Sequence, residues 1–378
     1  MKKFTQIAII LALSLSVCLA FLGCTPLPDE DTQTVNPSDE VTVPDETDVI
    51  PKDEQVIEPD VPEVVIPEFI NKLTGLETTE ELADIRPVAI MINNIKKATP
   101  QQGISHADIV YEVLAEGGIT RLLCLFTDYA NLPETGSVRS ARDYYIDLSD
   151  AHDAIYVHCG TSPQADSVLA ARKTENMNGI FFSTPFYRNQ WRLKNMGTEH
   201  SLMTTGELLV KGIEQKGYRT QSDAKQPLTF ALEEAPIENG TSAEYASLEF
   251  SYYAKSEFEY NSELGVYMKK QYGAEHIDSN NNEQLSFENV VMLYCTQGMI
   301  KGDTAGRLYV NFFGDGEGYY MTDGAYKKIK WHKETRTTPY ILYEEDGETE
   351  LVLNPGKTYI AIAPMDAETL FEAGTLSE

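Results

Sequence analysis

The sequence predicts an α/β domain followed by a mostly antiparallel β domain (an α+β half), set behind a signal peptide and a disordered acidic stalk. Three observations carry that prediction. Apolar runs of strand length alternate with capped helix patterns between residues 71 and 222. Helix signals then stop, and from 226 to 378 aromatic and β-branched strands recur between Asp-Gly and Asn-Pro-Gly turns. The first 70 residues have neither pattern.

Lys2 and Lys3 make a positive start, and Ile7 to Leu22 an apolar stretch too short for a comfortable membrane span. It closes on Ala20-Phe21-Leu22-Gly23-Cys24, a lipoprotein cleavage box, so residues 1–24 read as a signal peptide with lipidation at Cys24. A diacylglyceryl group there would anchor the chain stably, since two acyl chains hold where one does not. The expected location is the extracytoplasmic face of the cell membrane.

Residues 25–70 read as a tether. Prolines stand at 26, 28, 37, 44, 51, 59, 62 and 67, acids are frequent, and Lys52 is the lone base. Such a composition cannot bury enough apolar surface to offset its ordering entropy. In polyproline II, at ~3.1 Å per residue, a stretch of this length reaches up to roughly 140 Å. The net charge of −29, part of it on this spacer, opposes nucleic acid as a partner.

In the α/β half, Val88 to Ile92 is a short buried strand ending at Asn93-Asn94. Ile109–Ala115 and Ile119–Phe126 are strands, with Gly117-Gly118 as a two-residue hairpin connection. Ser140 to Ala151 reads as a helix with Tyr144, Tyr145 and Leu148 on one side, and Asp153 to His158 as a strand. Ser162 caps a helix with Pro163 at its first position, running to Arg172. A further helix starts at Thr204, where Thr204-Thr205-Gly206-Glu207 fits a capping box, and stops at Lys216-Gly217. In the β half, Asn289 to Cys295 reads as a central strand, with turns at Asp315-Gly316, Asp323-Gly324, Asp346-Gly347 and Asn354-Pro355-Gly356.

The candidate ligand site gathers Arg139, Ser140, Arg142, Glu112, Glu116, Arg121, His158, Ser162 and His200. His158 to Ser162 leaves a strand for a helix N-terminus, whose free N–H groups suit an anion. Arg139 and Arg142, three apart, form a two-pronged clamp if the helix has begun by Ser140; the alternative is structural ion pairing with Glu112, Glu116 or Asp147. No Gly-x-Ser-x-Gly elbow supports a serine nucleophile. Glu112 and Glu116 on a strand would lie about 13 Å apart, too far for a glycosidase pair. Tyr187 to Arg192 interleaves bases with aromatics and suits a groove rim. Cys124, Cys159 and Cys295 make no disulfide framework, no Cys-x-x-Cys or His-x-x-x-His spacing marks a metal, and no cofactor or catalytic residue is indicated.

With those residues in view, the chain resembles the YerB-like lipoprotein family of Gram-positive bacteria. RPVAIMINN, SHADIVYEVLAEGGITRLL, GSVRSARDYY and DAIYVHCGTSPQA carry the resemblance in the first domain. AEHID, NVVMLY, KKIKWHK and LNPGKTYIAIAP carry it in the second. Before the last helix the family pattern Arg-Lys-Ala-Pro-His-Asn is replaced by Met196 to Ser201, with His200 in the matching place. The resemblance implies a two-domain, lipid-anchored envelope protein and supplies no catalytic residue. The expected function is a binding or regulatory module for an anion, a sugar-containing ligand or an envelope protein. The alternatives are a cell-wall-directed hydrolase and a structural partner of membrane-anchored wall-synthesis enzymes.

Overall fold

The computed structural model describes residues 66–222 and 224–376, so the signal peptide, Cys24 and nearly all of the tether lie outside the described residues. Near the start of the described residues, Ile70 pairs with Glu77. Among the described residues no helix is long and apolar enough to cross a membrane.

In chain order the elements that position the site are β1 (Val88–Asn93), β2 (Ile109–Leu114), β3 (Thr120–Phe126), helix α1 (Asp143–Ala151), β4 (Ile155–His158), α2 (Pro163–Arg172) and β5 (Asn176–Asn178). After α3 (Gln190–Asn195) and α4 (Gly206–Lys216) come β6 (Tyr245–Ser251), β7 (Ala254–Asn261), β8 (Val266–Gln271) and β9 (Asn289–Met299). The chain closes with β10 (Gly314–Thr322), β11 (Ala325–Lys333), β12 (Ile341–Glu344), β13 (Thr358–Pro364) and β14 (Phe371–Gly374).

One sheet runs through both halves, in the order β12-β11-β10-β9-β13-β2-β3-β1-β4-β5. Its two halves join where β13 lies parallel to β2, with Ile109 opposite Thr358 and Val113 opposite Ile362. β2 is buried throughout and β13 up to Ala363, and apart from Glu112 and Thr358 both are apolar, as expected for parallel strands covered on both faces. A second, antiparallel sheet containing β8, β7, β6 and β14 covers one face. Val88, Ile90 and Ile92 pack there with Leu248, Phe258, Tyr267 and Tyr359. The other face buries Ala89, Met91, Leu123 and Leu125 against Tyr144, Tyr145 and Leu148 of α1. The N-terminal half is thus mixed α/β and the C-terminal half mostly antiparallel.

Several local expectations move by a few residues, each for a physical reason. The β2–β3 hairpin forms, but β3 starts at Thr120 and the connection is longer than two residues. Ala115 N–H donates to Ile119 O at 2.7 Å, leaving Glu116, Gly117 and Gly118 as the loop. Both glycines have positive φ, 72° and 71°, a backbone region that costs a Cβ-bearing residue. Ser162 caps α2 as expected, its Oγ accepting from Ala165 N–H at 3.1 Å. The cap of α4 is Thr205 rather than Thr204, its Oγ accepting from Leu208 N–H, and Glu207 pairs with Lys211 instead of closing a capping box. Asp315-Gly316 is not a turn; it lies inside β10, where the missing Cβ of Gly316 makes room for the Trp331 indole. Asp323-Gly324 does turn β10 into β11. Cys124, Cys159 and Cys295 are free thiols.

Candidate functional site: a cationic row at the carboxyl edge

β1, β2, β4, β5 and β13 run parallel, so their carboxyl ends share one edge of the sheet, where ligands of open α/β sheets bind. Across that edge runs the segment 137–141. Arg139 N–H donates to Met91 O at the end of β1, and Cys159 N–H, just past β4, donates to Arg139 O, both at 2.9 Å. Ala141 N–H donates to Gly160 O at 2.9 Å. These bonds hold the segment extended, and α1 begins only at Asp143, with Arg142 at its N-cap position (φ −128°, ψ 154°).

The helical clamp expected of Arg139 and Arg142 is therefore not formed. Neither arginine lies within the helix, and their side chains take different partners. Arg142 Nε donates to Glu116 Oε1 at 2.7 Å, and its Nη2 binds the same oxygen. Arg121, at the start of β3, donates from Nη1 to Ser140 O at 2.7 Å and lies 3.4 Å from Glu116 Oε2. Glu116 thus answers two buried guanidiniums. Burial would raise its carboxyl, but the charge of Arg121 and the hydrogen bond from Arg142 outweigh that and hold it below the usual range. For Arg121, burial and then the like charge of Arg142 push its guanidinium below its ordinary value.

Arg139 is held differently. Its Nη1 donates to Glu199 O at 3.2 Å and lies 3.7 Å from the Glu199 carboxylate, whose side chain is 74% exposed. Its Nε is buried without a hydrogen-bond partner. His200 sits beneath, with Nδ1 2.8 Å from Asn93 Nδ2, and burial together with the charge of Arg139 lowers its pKa. A neutral His200 accepts that bond from the Asn93 amide.

His158 and Ser162 line the same edge in supporting roles. The His158 ring nitrogens face Gly160 O at 3.0 Å and Asn176 Oδ1 at 3.1 Å, and burial lowers its pKa. Since Ser162 Oγ is committed to its helix cap, these two residues show no nucleophile–base pair.

Glu112 does not join this group. It projects from β2 towards the second sheet and is fully buried. Its Oε1 accepts from Asn94 Nδ2 at 3.0 Å and Thr120 Oγ at 2.6 Å, and its Oε2 from Tyr359 OH at 2.6 Å and from Ser256 Oγ. Sequence spacing could not reveal this, because Ser256 and Tyr359 stand 144 and 247 positions away. Reading by motif also missed the two exposed pairs beside the arginines, Ile180-Phe181 and Tyr252-Tyr253. Two adjacent tyrosines at a strand–turn–strand boundary were the available signal for the second pair.

This architecture defines a two-domain class whose halves share one sheet. Residues 73–219 match the family model described as "Protein of unknown function (DUF3048) N-terminal domain", and residues 246–360 match the corresponding C-terminal domain. A Bacillus subtilis (strain 168) protein named "Putative lipoprotein YerB" is 33% identical over 309 residues, covering 79% of this chain and 87% of that protein. The chain belongs to this family, as its sequence motifs led us to expect. The crystal structure of YerB protein from Bacillus subtilis superposes with a TM-score of 0.71 at 30% identity, over 82% of this chain and 100% of that one.

Proposed function

We propose that this chain is a lipid-anchored, extracytoplasmic binding module of the cell envelope that receives an anionic group at the carboxyl-edge arginine row. The anchor rests on the cleavage box ending at Cys24 and on the name of the Bacillus subtilis relative. One observation carries the site: Arg121, Arg139 and Arg142 converge on one edge, and Arg139 alone is held only by an exposed glutamate and a backbone carbonyl. An incoming carboxylate or phosphate can displace Glu199 at little cost, because an exposed pair contributes about 0–1 kcal/mol. Arg142 and Arg121 form the fixed floor beneath it. No observation favours the hydrolase alternative, since His158 and Ser162 are both engaged structurally.

The test is co-sedimentation of the full chain, in mild detergent, with purified cell-wall sacculi. Arg139→Ala is expected to lose retention while its circular dichroism stays unchanged. Undiminished retention of that variant would overturn the site, and release of soluble wall fragments by the wild type would revive the hydrolase.

A further inference from the structure

We infer that the anionic ligand of this edge is an acidic oligosaccharide strand, lying along a row that starts at Ile180-Phe181, crosses the arginines and ends at Tyr252-Tyr253. This rests on the reading that Arg139 receives an anion, and it extends that site across the neighbouring strands.

The row is continuous. A Cβ on Gly160 would lie 3.9 Å from Ile180 and 3.2 Å from Ser140 Oγ, so the turn after β5 touches the Arg139–Ser140 segment through a residue with no side chain. Ser140 O accepts from Arg121, Arg121 faces Glu116, and the next two residues are Gly117 and Gly118. A Cβ on Gly118 would come within 3.2 Å of the Tyr253 ring, and Ser251 Oγ donates to Gly118 O at 2.5 Å. From β5 to β2 the row crosses four strand spacings, about 19 Å in all. That length suits an extended oligomer rather than a single small anion.

Its chemistry alternates. Phe181 is 85% exposed and Tyr252 91%, and Tyr253 packs edge-on against Tyr252 with ring centroids 5.0 Å apart. Aromatic faces at both ends and the partly exposed Arg139 guanidinium between them, backed by the buried Arg121 and Arg142, match a chain of sugar rings bearing carboxylates or phosphates: rings stack on the aromatic faces, and an acid pairs with Arg139. The body is acidic as a whole, but at physiological salt charges beyond about 8 Å are screened, so the local balance decides, and Arg121, Arg139 and Arg142 outnumber Glu116 and Glu199 by one charge. A bilayer is the less favoured occupant, because the first described residues lie at the opposite edge. There Asn71 Nδ2 donates to Asp108 Oδ1 at 3.0 Å, just before the amino end of β2.

The experiment is calorimetric titration of the full chain in mild detergent with galacturonate dimer, galacturonate octamer, a neutral cellulose oligomer and inorganic polyphosphate. The octamer is expected to bind at least about tenfold more tightly than the dimer. A Tyr252→Ala/Tyr253→Ala variant should lose about tenfold for the octamer and nothing for polyphosphate, and Phe substitutions at the same positions should restore it. Arg139→Ala should weaken both acidic ligands. If polyphosphate binds through Arg139 while the tyrosine variant binds the octamer as tightly as the wild type, the strand is overturned and the anion site stands. If no acidic ligand binds, both readings fall. Stronger amide-exchange protection of 180–182 and 251–254 in phosphatidylglycerol vesicles than in phosphatidylcholine vesicles, without glycan, would assign the row to a membrane surface instead.

Discussion

The Tyr359 hydroxyl donates to Glu112 Oε2 at 2.6 Å, linking the last strand of the large sheet to β2 in the N-terminal half. With Ser256, Thr120 and Asn94 also donating to it, Glu112 ties three parts of the body to one buried carboxylate. Nearby Lys269, equally buried, donates to Ser256 Oγ at 3.0 Å and Gln271 Oε1 at 2.7 Å. The network is a joint between the two halves, which explains why a residue first considered for ligand binding is sealed from solvent.

Glu112→Ala should therefore cost about 3–5 kcal/mol, because it strands several buried donors together. Urea unfolding of the full chain measures this. A loss below about 1 kcal/mol would mean that the network relaxes or fills with water.

Alkaline pH should stabilise the fold over a defined window. Burial lowers Lys269 and Lys333 to about 8 each. Between that value and the ordinary lysine range the unfolded chain binds more protons, so stability rises with pH. The penalty of two buried charges is fully present below pH 8 and is relieved towards pH 10, by up to about 5 kcal/mol for the two together. Lys269→Met should flatten part of that rise in unfolding free energies measured at pH 7, 8, 9 and 10.

Acid should act in the opposite direction. His152, bonded through Nε2 to Tyr111 OH at 2.7 Å, is lowered by burial to about 3, and burial also lowers His158 and His276. Their neutral forms contribute stability that is fully present above the unfolded value near 6.5 and is lost as pH falls below it. Each can contribute a slope of up to about 1.4 kcal/mol per pH unit. His152→Phe should shift the acid unfolding midpoint downward; an unchanged midpoint would show that other groups set it.

Gly206 tests whether packing overrides helix propensity. In an exposed helix interior, alanine would be favoured over glycine by about 1 kcal/mol. Here a Cβ would fall 2.1 Å from Ala130 O, a backbone atom with no rotamer to give. Gly206→Ala should destabilise by at least about 2 kcal/mol in thermal or urea unfolding.

Asp147 should separate buried from exposed ion pairing. It is fully buried in α1, 2.7 Å from Arg172 and 2.7 Å from Arg336, and the latter comes from the C-terminal half. Asp147→Ala should cost about 1–3 kcal/mol, because it removes a buried carboxylate that faces Arg172, Arg336 and the buried Lys333. Arg336→Ala, at a side chain 39% exposed, should cost no more than about 1 kcal/mol. Equal losses in parallel urea titrations would show that the pair acts as one unit.

Where local chemistry was strong, the sequence was a good guide. Ser162-Pro163 had to start a helix, Gly117-Gly118 had to turn, and Val88 to Ile92 had to be buried, because each follows from the residues' own backbone or transfer preferences. The start of α1 was misplaced because nothing within residues 137–142 announces that Met91 and Gly160 will claim their backbone groups. Pattern alone suggested a helical pair at Arg139 and Arg142; long-range hydrogen bonds made it an extended crossing instead.

The sequence by itself determined the order and type of the elements, the family, and a cluster of arginines near the carboxyl ends of strands. These are properties of short windows, set by periodicity, capping and turn chemistry. Only the tertiary structure decided which arginines pair with a half-buried glutamate and which with an exposed one, that Glu112 faces inward, and that Tyr252-Tyr253 stands beside Gly118 across the join between the halves. Those outcomes depend on strands far apart in sequence becoming neighbours about 5 Å apart in one sheet, a relationship no local pattern encodes.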